Sequence, residues 1–199
     1  MLDAARMIPR WNVLIPATLV ITLCLLFTPN AIRQVRAAEY VETALSTHRS
    51  YLTGDLPLEF QSTSPEAVSG WLAGKVPFPF RLPASQEEPG NKSTYRLVGA
   101  KLIAYKGNPA ALVAYQGIQN DIISLLVAAS NHAIVAGGIE VRSGGLVFHY
   151  RSDSGFQIIT WSTHGLTYAL VSKASGSASG SCLVCHQSMT DRKAFLPAP

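Results

Sequence analysis

The chain reads as an α+β protein: an N-terminal transmembrane helix, an antiparallel β-sheet domain with one or two packed helices, and a short C-terminal tail. Three observations predict this. Residues 11–27, WNVLIPATLVITLCLLF, form an uncharged apolar run. Residues 37–52 place apolar side chains at helical spacing. From residue 95 onward, short runs rich in β-branched and aromatic residues alternate with glycine and asparagine turns.

The apolar run reaches spanning length once Thr28 and Pro29 sit at the interface, so residues 11–29 are expected to anchor the chain in a membrane. Cys24 lies inside it as a small apolar residue. Arg6 and Arg10 precede the run and Arg33 and Arg36 follow it, too even a balance to set orientation by charge alone. Val35-Arg36-Ala37 also has the small-residue pattern of a signal-peptide cleavage site. The length of the run, and the two arginines between it and that cut, favour a retained anchor.

Tyr40, Val41, Ala44, Leu45, Tyr51 and Leu52 make the apolar stripe of an amphipathic helix, and His48 falls on the same stripe. Ser64-Pro65 has the capping hydroxyl and first-turn proline of a helix start, leading into a helix over 66–75 with Trp71 inward. Pro77, Pro79 and Pro83 then enforce an irregular path, and 84–93 is a polar loop. Strands are expected at 95–105, 110–115, 122–128, 146–151, 156–161 and 166–172, with hairpin turns at Gly107-Asn108 and His164-Gly165. The helices are expected on one face of the sheet. Residues 173–181, KASGSASGS, have the composition of a flexible tether.

Of the 199 residues, those beyond the anchor suffice for one ordinary domain with a real core. The net charge is only +4, and lysines and arginines are scattered rather than clustered, which argues against nucleic acid as a partner. No Gly-rich phosphate loop, G-x-S-x-G or H-E-x-x-H occurs, so the sequence does not read as that of an enzyme.

The most specific motif is Cys182-Leu183-Val184-Cys185-His186. C-x-x-C-H is the attachment pattern for haem c: both thiols add to the vinyl groups as thioethers, and the adjacent imidazole binds iron from below. Cys182, Cys185 and His186 are therefore expected to hold one covalent haem, with His186 as proximal ligand. A Cys182/Cys185 disulfide and part of a zinc site are the competing readings of the same residues. Covalent haem attachment is extracytoplasmic, so it orients the chain. Residues 1–10 would be cytoplasmic, and everything beyond the anchor periplasmic, as expected for a single-pass bacterial inner-membrane protein.

Only 187–199 follow the motif, too little chain to enclose a porphyrin, so upstream residues or a partner must complete the site. Met1 and Met7 precede the anchor and Met189 is tied to the proximal side, which leaves histidine as the distal ligand type. The candidates are His48, His132, His149 and His164. His149 is preferred, with His48 next. An open site or a ligand from a neighbouring subunit is an equal alternative.

Over about 39–172 the chain resembles a known family, the periplasmic domains of bacterial membrane-anchored anti-sigma-factor-like transcriptional regulators. The likeness rests on HRSYL after the anchor, on SPEAVSGWLAGKVPFPF, on YRLVGAKLIAY followed by NPAALVAYQ, and on GFQIITW and GLTYALVS near the end. The resemblance implies fold-determining rather than catalytic positions, over a domain taken as 37–172. Two departures stand out. The family's cytoplasmic sigma-binding region, often carrying a zinc motif, has no counterpart in 1–10, and the haem motif in 182–199 is an addition to the family's scaffold.

These features lead to the expectation of a membrane-anchored monohaem c-type cytochrome. It would transfer single electrons between periplasmic or membrane redox proteins, either alone or as a subunit of a hetero-oligomeric complex. The alternatives are a haem-based redox or gas sensor related to the anti-sigma regulators, and a haem-free interaction domain.

Overall fold

The computed structural model describes residues 11–82, 95–117 and 120–174, with the backbone alone over 11–28. The order of elements is α1 (Trp11–Leu52), β1 (Phe60–Gln61), α2 (Pro65–Ala73), β2 (Tyr95–Tyr105), β3 (Asn108–Gly117), β4 (Ile122–Ala129), β5 (Ile139–Ser143), β6 (Leu146–Asp153), β7 (Phe156–Thr163) and β8 (Leu166–Lys173). The result is an α+β fold with a single eight-stranded antiparallel sheet ordered β1-β2-β3-β4-β8-β7-β6-β5.

Two meanders build this sheet, β2-β3-β4 and β5-β6-β7-β8, and they join where β4 pairs with β8. Tight turns explain the meanders. Lys106-Gly107, Gly144-Gly145, Ser154-Gly155 and His164-Gly165 all have positive φ at both central positions, the geometry that matches the twist of flanking strands in a two-residue hairpin. His164-Gly165 is the turn expected from the sequence. The β2/β3 turn lies one residue earlier than the expected Gly107-Asn108, because Asn108 opens β3 opposite Tyr105. The Asn108 amide instead donates back to the Lys106 carbonyl at 3.0 Å.

The helices do not share one face. Along β4, Ile123, Leu125 and Val127 belong to one core with Val68 and Leu72 of α2. Leu126 and Ala128 belong to a second core with Tyr40, Val41, Ala44 and Leu45 of α1. The same alternation recurs on β7 and β8, so α1 and α2 cover opposite faces. The physical reason is in the strands: β3 and β4 are apolar at nearly every position and buried on both sides, which requires cover on both.

The apolar run and the amphipathic stretch belong to one continuous helix of 42 residues, α1. Its packed part begins at Ala37, and Tyr40, Val41, Ala44, Leu45 and His48 are buried, as the stripe predicts. Leu52, assigned to that stripe, is exposed as the last residue of the helix. Before Ala37, Ile32 and Val35 stand 57% and 60% exposed. The side chains of 11–28 lie outside the described residues, and among the described residues no helix is long and apolar enough to cross a membrane.

Ser64 caps α2 as expected, its hydroxyl accepting from the Ala67 amide at 3.1 Å. The helix ends at Ala73 rather than residue 75. Val68 and Leu72 are its buried residues, while Trp71 is half-buried and stacks on Phe60 with ring centroids 5.5 Å apart. The proline-rich stretch after α2 places Val76, Phe78, Phe80 and Leu82 in the same core. Full burial of each such side chain contributes about 1.5–3 kcal/mol.

Candidate haem site

Cys182, Cys185 and His186, with most of the 173–181 tether, lie outside the described residues. What the described fold does locate is the four histidines considered as distal ligands, and the chain segment that organises one of them.

Residues 130–138 carry the chain from β4 to β5, at the far edge of the sheet, and so must pass β8, β7 and β6. They cross on the α1 face, where Ala133 is buried in the α1 core. Side chains from the sheet hold the crossing at successive points. Thr167 Oγ1 of β8 donates to the Ala133 carbonyl at 2.8 Å. On β6, Arg151 Nη2 donates to the Ala136 carbonyl at 2.7 Å, and His149 Nδ1 lies 2.9 Å from the Gly137 carbonyl.

His149 therefore has a defined tautomer. A carbonyl oxygen only accepts, so Nδ1 carries the hydrogen, and in the neutral ring the lone pair is on Nε2. That nitrogen has no hydrogen-bond partner among the described residues. His149 is 9% exposed, on the face opposite Phe148 as the strand alternation predicts. Glu140 lies across the β5–β6 pair, its Oε1 3.9 Å from Nδ1.

His48 is different in kind. It is 1% exposed. Nδ1 lies 2.7 Å from Ser124 Oγ on β4, and the ring meets Phe156 edge-on at 5.1 Å. Burial, and next to it the adjacent Arg49 charge, lower its pKa from 6.5 to about 4. This is a neutral core imidazole, buried with Ser124 and Phe156 packed against it.

His164 is exposed in the β7/β8 turn, where Nδ1 lies 2.9 Å from Thr163 Oγ1. His132 is half-buried just after β4, its backbone amide donating to the Ala129 carbonyl at 3.0 Å. The four histidines thus do not converge. Among the described residues no three His, Cys, Asp or Glu side chains gather as a metal cluster.

An imidazole that binds a metal usually has its other nitrogen fixed by an acceptor, an arrangement the Gly137 carbonyl gives His149. Sequence reasoning singled out His149 but missed the crossing segment that orients it. The Gly137-Gly138 pair is the signal: both glycines have positive φ, and a Cβ at Gly138 would lie 2.5 Å from the Tyr150 carbonyl oxygen. Comparison with family models, curated proteins and solved structures finds no match.

Proposed function

We propose that the chain is a membrane-anchored periplasmic c-type cytochrome with one covalent haem, working as a one-electron carrier rather than an enzyme. The observation that carries this reading is Cys182-x-x-Cys185-His186, which combines two thioether donors with an iron-binding imidazole at the spacing haem c requires. Haem c supplies reversible one-electron chemistry, and the protein tunes it by its axial ligands and by burial.

The rest of the chain suits that role. The 11–29 run is the proposed membrane anchor, oriented with 1–10 in the cytoplasm of a bacterial inner membrane. Because α1 is unbroken from Trp11 to Leu52, the sheet domain follows that anchor without an intervening loop. The motif stands at the other end, beyond β8, on a tether rich in glycine and serine that can bring it to a periplasmic or membrane redox protein.

The test is expression with the c-type maturation machinery, followed by haem staining of a denaturing gel. The reading predicts a stained band near 21.4 kDa in the membrane fraction, released by detergent and not by salt. An unstained band contradicts haem attachment; a stained band in the soluble fraction contradicts the anchor.

A further inference from the structure

We infer that the end of the sheet carrying the Lys106-Gly107 and His164-Gly165 turns docks on the surface of an anionic phospholipid bilayer, with Arg33 and Arg36 of α1 among the lipid phosphates. The inference rests on the reading of 11–29 as a membrane anchor and adds which way the domain stands on it.

Three observations carry it. The first is the direction of α1 over the sheet. The Tyr40 hydroxyl donates to the Thr167 carbonyl, and Glu39 pairs with Lys106 in the β2/β3 turn. Further along the helix, His48 bonds Ser124, and Arg49 lies over Phe156, which pairs with Lys173 at the other end of β8. α1 therefore runs along β8, and its N-terminal part leaves the sheet past the 106–107 and 164–165 turns.

The second is level. Gly165 lies two residues beyond Thr167, about 7 Å at the rise of a strand. Arg36 and Arg33 lie about 6 Å and about 10 Å beyond Tyr40 at the rise of a helix. The turns and the two arginines thus share one layer, and the unbroken helix carries the apolar run directly beyond it.

The third is the chemistry of that layer. Ile32 and Val35 are exposed, Arg33 is exposed and Arg36 half-buried, and 29–36 contains no acidic residue. Apolar side chains beside guanidinium groups suit a lipid interface: the apolar parts meet the acyl boundary, and each guanidinium offers paired hydrogen bonds to phosphate. Asp121 and Asp153 stand at the opposite end of the sheet, away from the lipid charge. In this orientation β8 runs away from the bilayer and ends at Lys173, about 27 Å from Gly165.

The test is tryptophan quenching by lipids brominated along their acyl chains. It is read on the full chain reconstituted in vesicles of phosphatidylcholine alone and of phosphatidylcholine with phosphatidylglycerol. A Trp11→Phe parent supplies the baseline from Trp71 and Trp161. In that background Thr163→Trp, beside the 164–165 turn, is expected to be quenched several-fold more than Asp153→Trp at the opposite end. Pro109→Trp and Ser152→Trp repeat the comparison at a second exposed position on each end. Quenching at Thr163→Trp is expected to rise with phosphatidylglycerol, and Arg33→Gln with Arg36→Gln should abolish that rise. Equal quenching at the two ends, or stronger quenching at Asp153→Trp, overturns the orientation. Quenching that phosphatidylglycerol does not raise, or raises equally without the arginines, overturns the anionic contact. A chain that does not float with the vesicles fails at the earlier step and overturns the anchor reading itself.

Discussion

His48 of α1 and Ser124 of β4 share a buried hydrogen bond of 2.7 Å that joins the helix to the strand beside the sheet's central pairing. Above it the imidazole packs edge-on against Phe156, whose ring also lies 5.6 Å from the Arg49 guanidinium. Burial keeps this histidine neutral, with a pKa of about 4 against the ordinary 6.5. In the unfolded chain it takes up a proton near the ordinary value, so the unfolded state binds more protons between those two pH values. Stability is therefore complete above about pH 6.5 and falls as pH drops toward 4, by an amount on the order of 2–3 kcal/mol from this residue. Urea denaturation of the detergent-solubilised chain across that window should show the loss, and His48→Gln should flatten the slope.

Tyr40 ties α1 to two neighbouring strands through one hydroxyl, 3.0 Å from the Leu126 carbonyl and 2.9 Å from the Thr167 carbonyl. The side chain is fully buried, with its ring edge-on to Tyr105 at 5.2 Å. Tyr40→Phe keeps the packing and removes the donor, so it should cost about 1–2 kcal/mol in the same denaturation experiment. Tyr40→Ala empties the site as well and should cost about 3–5 kcal/mol.

Gly99 sits where β1 crosses closest to β2, and a Cβ there would lie 2.1 Å from the Phe60 carbonyl oxygen. Gly99→Ala should therefore push β1 off the sheet, at a cost of about 1–3 kcal/mol. Phe60 stacks on Trp71, so the displacement should also expose the indole. A red shift of Trp71 fluorescence, read in Trp11→Phe and Trp161→Phe backgrounds, checks it.

The segment crossing from β4 to β5 depends on Thr167, which is fully buried and bonds both the Ala133 carbonyl at 2.8 Å and the Ser162 hydroxyl at 2.8 Å. Thr167→Val leaves that carbonyl buried without a donor and should cost about 1–3 kcal/mol. Backbone amides of 133–138 should exchange hydrogen faster in this variant than in the parent, while those of β2 and β3 should not change.

Much of this architecture was legible in the sequence because the core strands and the buried stripe of α1 obey simple periods. Ser64-Pro65 gave the start of α2. β5 escaped notice because Ile139-Glu140-Val141-Arg142 is an edge segment, mostly exposed and charged, with Ile139 73% exposed. β1 has only two residues and exists because Gly99 lets it approach. Opposite placement of the helices followed from burial on both sides of β3 and β4, a property carried by their near-continuous apolar runs, since a single buried face would alternate. The hold of Gly137 on His149 joins residues from a crossover and a strand, and no local pattern announces it.

The central claim is the covalent haem, and the most direct measurement is the intact mass of the denatured full chain together with its pyridine haemochrome spectrum. Predicted are a mass increment of one haem and a c-type spectrum, both lost when Cys182 and Cys185 are replaced by alanine. A chain at its unmodified mass, produced alongside a maturation system that loads a control cytochrome, would contradict the claim and leave the two cysteines to a disulfide or a metal.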